Sequence, residues 1–246
     1  MTVIGMIPAR WASRRFAGKV LVDIKGKPMI QHVWERAQRS RVLQDVYIVC
    51  DHEKVLTAAQ GFGAKAIMTS TDHRCGTDRI AEAAQDIKAD SIINIQGDEP
   101  LINPAVIDAL AQQLEKDPAC SVTTPICRLK ALADLDNPAV VKVVIDHNRH
   151  ALYFSRSAIP FNRDQQDFGQ MTYYKHLGIY AYRREFLLRW HQLPSSYLEQ
   201  AEKLEQLRIL EAGETIVTVE TPHDTIGVDT AQDLDRVLAI LDEKTS

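Results

Sequence analysis

Short, unbroken apolar runs alternate through the first half of this chain with stretches whose apolar positions recur every three to four residues. VIGMI (3–7) is a continuous apolar run of the kind buried in a parallel sheet, SIINIQ (91–96) reads as another buried strand, and DVYIVC (45–50), AKAIM (64–68) and SVTTPIC (121–127) read as strands. Between them the spacing predicts helices. The first covers 28–40, with Pro28 at its first position and Ile30, Val33, Trp34 and Ala37 on one face. A second, at 53–63, is closed by glycines, and a third, at 77–87, takes Thr77 as its N-cap. A fourth covers 103–117, capped by Asn103 with Pro104 following. Strands alternating with helices in this way predict a right-handed, mostly parallel α/β sheet flanked by helices.

Beyond residue 128 the pattern changes. Segment 140–156 reads as two strands around a turn at His147-Asn148, 174–183 as one strand, and 199–213 as one helix ended by Gly213. The chain closes with strand 215–220, the short GVD (227–229) and a helix over 230–243, where Thr230 and Asp233 resemble a capping box. The expectation is one domain over 1–246, with 129–213 as an inserted lobe. No Pro/Gly/Ser-rich linker separates the two.

Composition narrows the class. The chain has 246 residues, is 45% hydrophobic and 25% charged, and carries a net charge of −4, which excludes a broadly basic nucleic-acid-binding protein. No nucleic-acid partner is expected. The four cysteines, Cys50, Cys75, Cys120 and Cys127, form no C-x-x-C pair, which argues against a zinc site and for a reducing compartment. The apolar run at the N-terminus is short for a signal peptide, and no 18-residue apolar stretch follows, so a cytoplasmic protein without membrane insertion is expected.

Against this acidic background, IPARWASRRFAGK (7–19) sets Arg10, Arg14, Arg15 and Lys19 where the first strand should end. Ligands of open α/β sheets bind beyond the carboxyl ends of the strands, and clustered cations there match phosphate oxygens. A solvated basic loop is the alternative. The stretch is neither a Walker A nor a G-x-G-x-x-G loop, so a dinucleotide cofactor is not expected. A second strand end, QGDEP (96–100), places Asp98 where a Mg²⁺ ligand would sit beside bound phosphate, although Gly-Asp is also ordinary turn chemistry. Asp229 could close the same site, but on spacing alone it reads as a carboxylate at a helix N-terminus. The polar loop 69–79 could line a base pocket. Arg156, Lys175, His176 and Tyr180 fall in the expected lobe, where Arg156 could meet a substrate carboxylate and a lone His is more often structural.

Taken in order, IPAR (7–10), GKPMIQHV (26–33), NIQGDEP (94–100), ALYFSR (151–156), KHLGIYAYR (175–183), LEQLR (204–208) and GVDT (227–230) resemble the 3-deoxy-manno-octulosonate cytidylyltransferases along essentially the whole chain. The resemblance implies a Rossmann-like nucleotidyltransferase fold with an added lobe for sugar binding and dimerisation. It implies CTP and the acidic eight-carbon sugar Kdo as substrates, Mg²⁺ as cofactor, a homodimer, and a place in lipopolysaccharide precursor synthesis. Kdo with an 8-amino group is an alternative sugar; a glycosyltransferase or a non-catalytic nucleotide sensor are more distant readings. By resemblance, Arg10, Ser13, Arg15 and Lys19 would hold the triphosphate, and Ser70, Gly76, Thr77 and Arg79 would line the cytidine pocket. Gln96 and Asp98 would meet the nucleotide, Asp98 and Asp229 the metal, and Arg10, Lys19, Asp98 and Asp229 would serve catalysis. Arg156, His176, Tyr180, Glu205 and Gln206 would face the sugar. The chain departs from the family pattern at Ala17 and Val20, which replace prolines, at Cys50, which replaces Thr, and at Cys75, which replaces Ser.

Overall fold

A computed structural model describes residues 1–12, 18–73 and 75–243. The strands are β1 (Val3–Ala9), β2 (Asp23–Ile24), β3 (Lys27–Pro28), β4 (Leu43–Cys50), β5 (Lys65–Met68), β6 (Ser91–Asn94), β7 (Val122–Arg128), β8 (Lys142–Ile145), β9 (Ala151–Ser155), β10 (Tyr174–His176), β11 (Tyr180–Arg183) and β12 (Ile216–Glu220). The helices are α1 (Met29–Ala37), α2 (Glu53–Gly61), α3 (Gly76–Ala83), α4 (Pro104–Lys116), α5 (Leu132–Asp136), α6 (Arg184–Leu188), α7 (Tyr197–Glu202), α8 (Leu207–Glu211) and α9 (Ala231–Glu243).

Ten of these strands form one mixed sheet in the order β5-β4-β1-β6-β11-β7-β10-β8-β9, with β12 also on β7. The first four are parallel, as the alternation of strands and helices predicts. β11 then runs antiparallel between β6 and β7, and β10, β8 and β9 continue antiparallel. Segment 129–213 therefore contributes its strands to the same sheet.

Alternation along β1 sorts its side chains between two faces. Val3, Ile7 and Ala9 pack with α1, α2 and α4 residues such as Ile30, Val55 and Ile107. Ile4 and Met6 pack on the other face with Ile80 of α3, Phe186 of α6 and Ile209 of α8. A smaller cluster joins Ile24 and Met29 to Val228 and to Val237 of α9, which returns the end of the chain to the strand-end side of the sheet.

Several expected boundaries move. Pro28 caps α1 from outside instead of opening it. The N-cap of α3 is Cys75, whose Sγ accepts from the Asp78 amide at 3.4 Å, and Thr77 lies inside the helix. The strand expected over 174–183 splits around Leu177-Gly178-Ile179, and the helix expected over 199–213 breaks after Glu202, where Lys203 adopts φ +56°. No strand forms at 227–229. The reciprocal cap is present: Asp233 N–H donates to Thr230 Oγ1 at 3.2 Å, and Thr230 N–H donates to Asp233 Oδ2 at 2.9 Å.

Candidate active site

A cavity of about 900 Å³ opens beyond the carboxyl ends of β1 and β6, the place where open α/β sheets bind ligands. Pro8 and Arg10 come from the end of β1, and Gln96, Gly97 and Asp98 from the loop after β6. These two strand ends approach closely. A Cβ on Gly97 would lie 3.0 Å from the Pro8 carbonyl oxygen, so only glycine fits without a backbone shift.

Lys19 enters from the opposite side of the loop. Gly18 precedes it at φ +74°, with the Trp11 ring carbons 2.9 Å from where its Cβ would be. The Gly18 amide donates to the Trp11 carbonyl at 2.9 Å. Lys19 Nζ donates to Asp98 Oδ2 at 2.8 Å and to Asp229 Oδ1 at 3.0 Å. Asp229 reaches this point because the Val228 amide donates to the Asp98 carbonyl at 2.8 Å. Burial pulls the Lys19 ammonium down, but attraction and hydrogen bonds from Asp98 and then Asp229 outweigh it and hold the group above the ordinary lysine range. Beside it Glu99 is buried, and Oε2 has no partner among the described residues. Burial, then the Asp98 charge, push its carboxyl up to about 8.

The N-terminal end of α3 forms the floor. Gly76 and Arg79 line the cavity with Cys75 and His73. Arg79 is buried, and its guanidinium is committed to Asp51 Oδ2 at 2.9 Å, Thr69 Oγ1 at 2.6 Å and the Ser70 carbonyl at 3.2 Å. Asp51 also accepts from the Trp11 amide at 2.8 Å, so Arg79 braces the β1 loop through a shared carboxylate. His73 pairs with Glu82, which in turn accepts from the Ser70 amide.

The facing wall comes from α7, α8 and the link between them. Arg208 makes a two-pronged pair with Glu199, Nε to Oε2 at 2.7 Å and Nη2 to Oε1 at 2.8 Å, and lies 5.0 Å over the Trp190 ring. Trp190 Nε1 donates to Asp78 Oδ1 at 2.8 Å, tying this wall to α3. Glu205 accepts from Thr77 Oγ1 at 2.9 Å, and burial raises its carboxyl.

Of the residues expected from sequence, the cavity gathers Arg10, Lys19, Gly76, Arg79, Gln96, Asp98, Glu205 and Asp229. Ser13 and Arg15, like Arg14 and Ala17, lie outside the described residues. Val20 packs into the core at the cavity edge. Six expected residues do not line the cavity. Ser70 and Thr77 hold the floor through the bonds above. His176 is buried, with Nε2 3.0 Å from Thr124 Oγ1 and 2.9 Å from Tyr180 Oη, and burial pushes its imidazole down to about 3. Tyr180 is buried with it and stacks on Tyr182. Gln206 is buried, and its Nε2 has no partner among the described residues. Arg156 is spent on backbone carbonyls, donating to Glu202 O at 2.9 Å and Pro138 O at 2.8 Å. His73 lines the cavity from the loop 69–79 expected to form a base pocket, whereas Ser195, Glu199, Gln200, Lys203 and Arg208, on α7, α8 and the segments beside them, were not expected there.

Residues 4–216 match the family model described as cytidylyltransferase. Among curated relatives, a 3-deoxy-manno-octulosonate cytidylyltransferase of Geobacter sulfurreducens (strain ATCC 51573 / DSM 12127 / PCA) is 50% identical, covering 97% of this chain and 98% of the relative. The enzyme of the same name from Geotalea daltonii (strain DSM 22248 / JCM 15807 / FRC-32) is 48% identical, covering 99% and 100%. A solved structure of CMP:2-keto-3-deoxy-manno-octonic acid synthetase complexed with CTP superimposes with a TM-score of 0.93 at 46% identity, covering 99% of this chain and 100% of that one.

Proposed function

We propose, from the premise that this chain belongs to the 3-deoxy-manno-octulosonate cytidylyltransferase family and joins CTP to the acid sugar Kdo, that the walls of the cavity divide the two substrates between them. The observation that carries this reading is the Lys19 ammonium set between Asp98 and Asp229 at the strand ends. Arg10 and Lys19 hold the triphosphate, with Ser13 and Arg15 as further candidates from the same loop. The cytidine lies along the start of α3, at Gly76 and Arg79, with Gln96 and Asp98 against the nucleotide. The sugar takes the wall of α7 and α8, where Glu205 faces the cavity.

The anomeric hydroxyl oxygen of Kdo attacks the α-phosphorus of CTP, and a bond forms between that oxygen and the α-phosphorus. The bond from the α-phosphorus to the oxygen bridging to the β-phosphate breaks, and pyrophosphate departs while the hydroxyl proton passes to solvent. Arg10 and Lys19 neutralise the charge that builds on the leaving phosphates, which is worth several kcal/mol in a site sheltered from water. No covalent enzyme intermediate is required.

Asp98 and Asp229 fit a Mg²⁺ site. Their oxygens already converge on one cation, and paired carboxylates with substrate phosphates are donors that Mg²⁺ accepts. When bound, the ion supplies Lewis-acid polarisation of the phosphoryl oxygens and helps to orient the reactants. Removing divalent cations with a chelator should abolish pyrophosphate release, and Mg²⁺ should restore it. An enzyme indifferent to the chelator would contradict the metal's part.

A homodimer through segment 129–213 is supported by its exposed apolar residues. Phe161 is 84% and Leu132 56% exposed, on the rim of a groove that includes Leu135, Pro160 and Tyr173. A cytoplasmic location is supported by four cysteines that are all free thiols. Among the described residues, no helix is long and apolar enough to cross a membrane.

A further inference from the structure

Lys203 closes α7 in the left-handed region, at φ +56° and ψ +45°. Glycine or asparagine ordinarily takes this place, because a Cβ there crowds the backbone. A lysine held in such a conformation points to over-determination by its surroundings, and residues of this kind cluster at functional sites.

The surroundings are on view. The end of β9 clamps the turn from one side. Arg156 Nε donates to the Glu202 carbonyl at 2.9 Å and Nη2 reaches the Lys203 carbonyl at 3.5 Å. The Arg156 amide donates to Glu202 Oε2 at 3.0 Å, and Ser155 Oγ to Glu202 Oε1 at 2.6 Å. From the other side, the Lys203 amide donates to the Glu199 carbonyl. Lys142, itself buried, donates to the Arg156 carbonyl at 2.5 Å and fixes the base of the clamp.

The clamp sets Lys203 on the cavity wall, exposed and with no ion pair among the described residues. The other charged groups of that wall already have partners, and burial raises the carboxyl of Glu205. Arg208 and Glu199 satisfy one another, and Glu205 accepts from Thr77. Across the cavity, Lys19 stands between two carboxylates. Among the described residues, Lys203 is thus a cation on the α7–α8 wall without a counter-ion, and it faces a space that receives two anions. The triphosphate belongs to the Arg10 and Lys19 wall. The other anion is the carboxylate of the octulosonate.

We infer that Lys203 binds the sugar carboxylate and that Arg156 is a positioning residue that acts through it, holding the turn that presents the ammonium. This rests on the reading of the cavity given above. It also explains why the guanidinium of Arg156 is consumed by carbonyls instead of facing the substrate.

Steady-state kinetics of the full chain with CTP and Kdo test the inference. Lys203→Gly removes the ammonium and relieves the backbone. It should raise KM for Kdo about tenfold or more, leave KM for CTP within about twofold, and leave Tm unchanged or higher. Lys203→Arg should retain most of the affinity for Kdo. Arg156→Met should raise KM for Kdo in the wild-type background and add nothing in the Lys203→Gly background. An unchanged KM for Kdo in Lys203→Gly would overturn the inference, and so would a rise confined to KM for CTP, which would move the ammonium to the nucleotide. Either result with a normally active wild type leaves the functional reading intact. A wild type that releases no pyrophosphate from CTP and Kdo overturns both.

Discussion

The amide of Val228 donates to the carbonyl of Asp98 at 2.8 Å, and that bond brings the carboxylate of Asp229 beside the loop after β6. The C-terminal arm, anchored by Val228 and Val237 on Ile24 and Met29, thereby lines the same cavity as the end of the first strand.

Asp98→Asn and Asp229→Asn each keep the shape and remove a charge. Turnover should fall by about a hundredfold or more in either variant, with part of it recovered by excess Mg²⁺. If both serve one ion, the double variant should lose much less than the product of the single losses. A fully multiplicative loss would argue against the shared site.

Lys19→Ala should lower kcat/KM by about 2 to 4 kcal/mol in transition-state terms, because a cation aimed at the leaving phosphates is lost. The residue sits on a single 3-10 turn at the cavity, and Lys19 Nζ makes no structural bond beyond the two site carboxylates among the described residues, so thermal unfolding should change little. Wild-type turnover in this variant would contradict the assignment.

The strand pattern was most legible at β1 and β6, whose apolar runs are buried by a sheet covered on both faces, and less so at β5, an edge strand with Lys65 and Met68 exposed. Part of the lining of the candidate site was legible where charged residues and strand ends coincide, as at Arg10 and Asp98. Asp229 was not readable from its own spacing, since its meaning depends on the tertiary bond from Val228. The break after α7 left no trace either: helical periodicity runs on through 203–206, and the left-handed turn falls on a lysine instead of a glycine. Cysteine is an unusual helix cap, so the start of α3 was misplaced by the more ordinary Thr77.

His176 is buried in this packing, and its pH signature follows from that burial. Its imidazole is pushed from the ordinary value near 6.5 down to about 3, so between those values the unfolded chain binds a proton that the folded chain refuses. Its contribution to stability is present above pH 6.5 and is lost, at about 1.4 kcal/mol per pH unit, as pH falls toward 3. Thermal unfolding of the wild type and of His176→Gln between pH 7 and pH 5 checks this: the variant should show the shallower acid loss. Parallel curves would contradict it.

Gly97→Ala would place a methyl group 3.0 Å from the Pro8 carbonyl oxygen, a backbone atom that cannot turn aside. The ends of β1 and β6 must then separate by a few tenths of an ångström, carrying Asp98 away from Lys19. A stability loss of about 1 to 3 kcal/mol and a fall in kcat are expected, measured by denaturant unfolding and initial rates. Unchanged values would show that the two strand ends are not in contact in solution.

The chain joins CTP to the acid sugar Kdo with loss of pyrophosphate. Pyrophosphate release should be followed with the purified chain and Mg²⁺, crossing the four common nucleoside triphosphates with Kdo, its 8-amino analogue, sialic acid and no sugar. Rapid release is predicted with CTP and Kdo together, one pyrophosphate for each CMP-Kdo formed, and none with CTP alone. Release without sugar, or none with both substrates present, would contradict it.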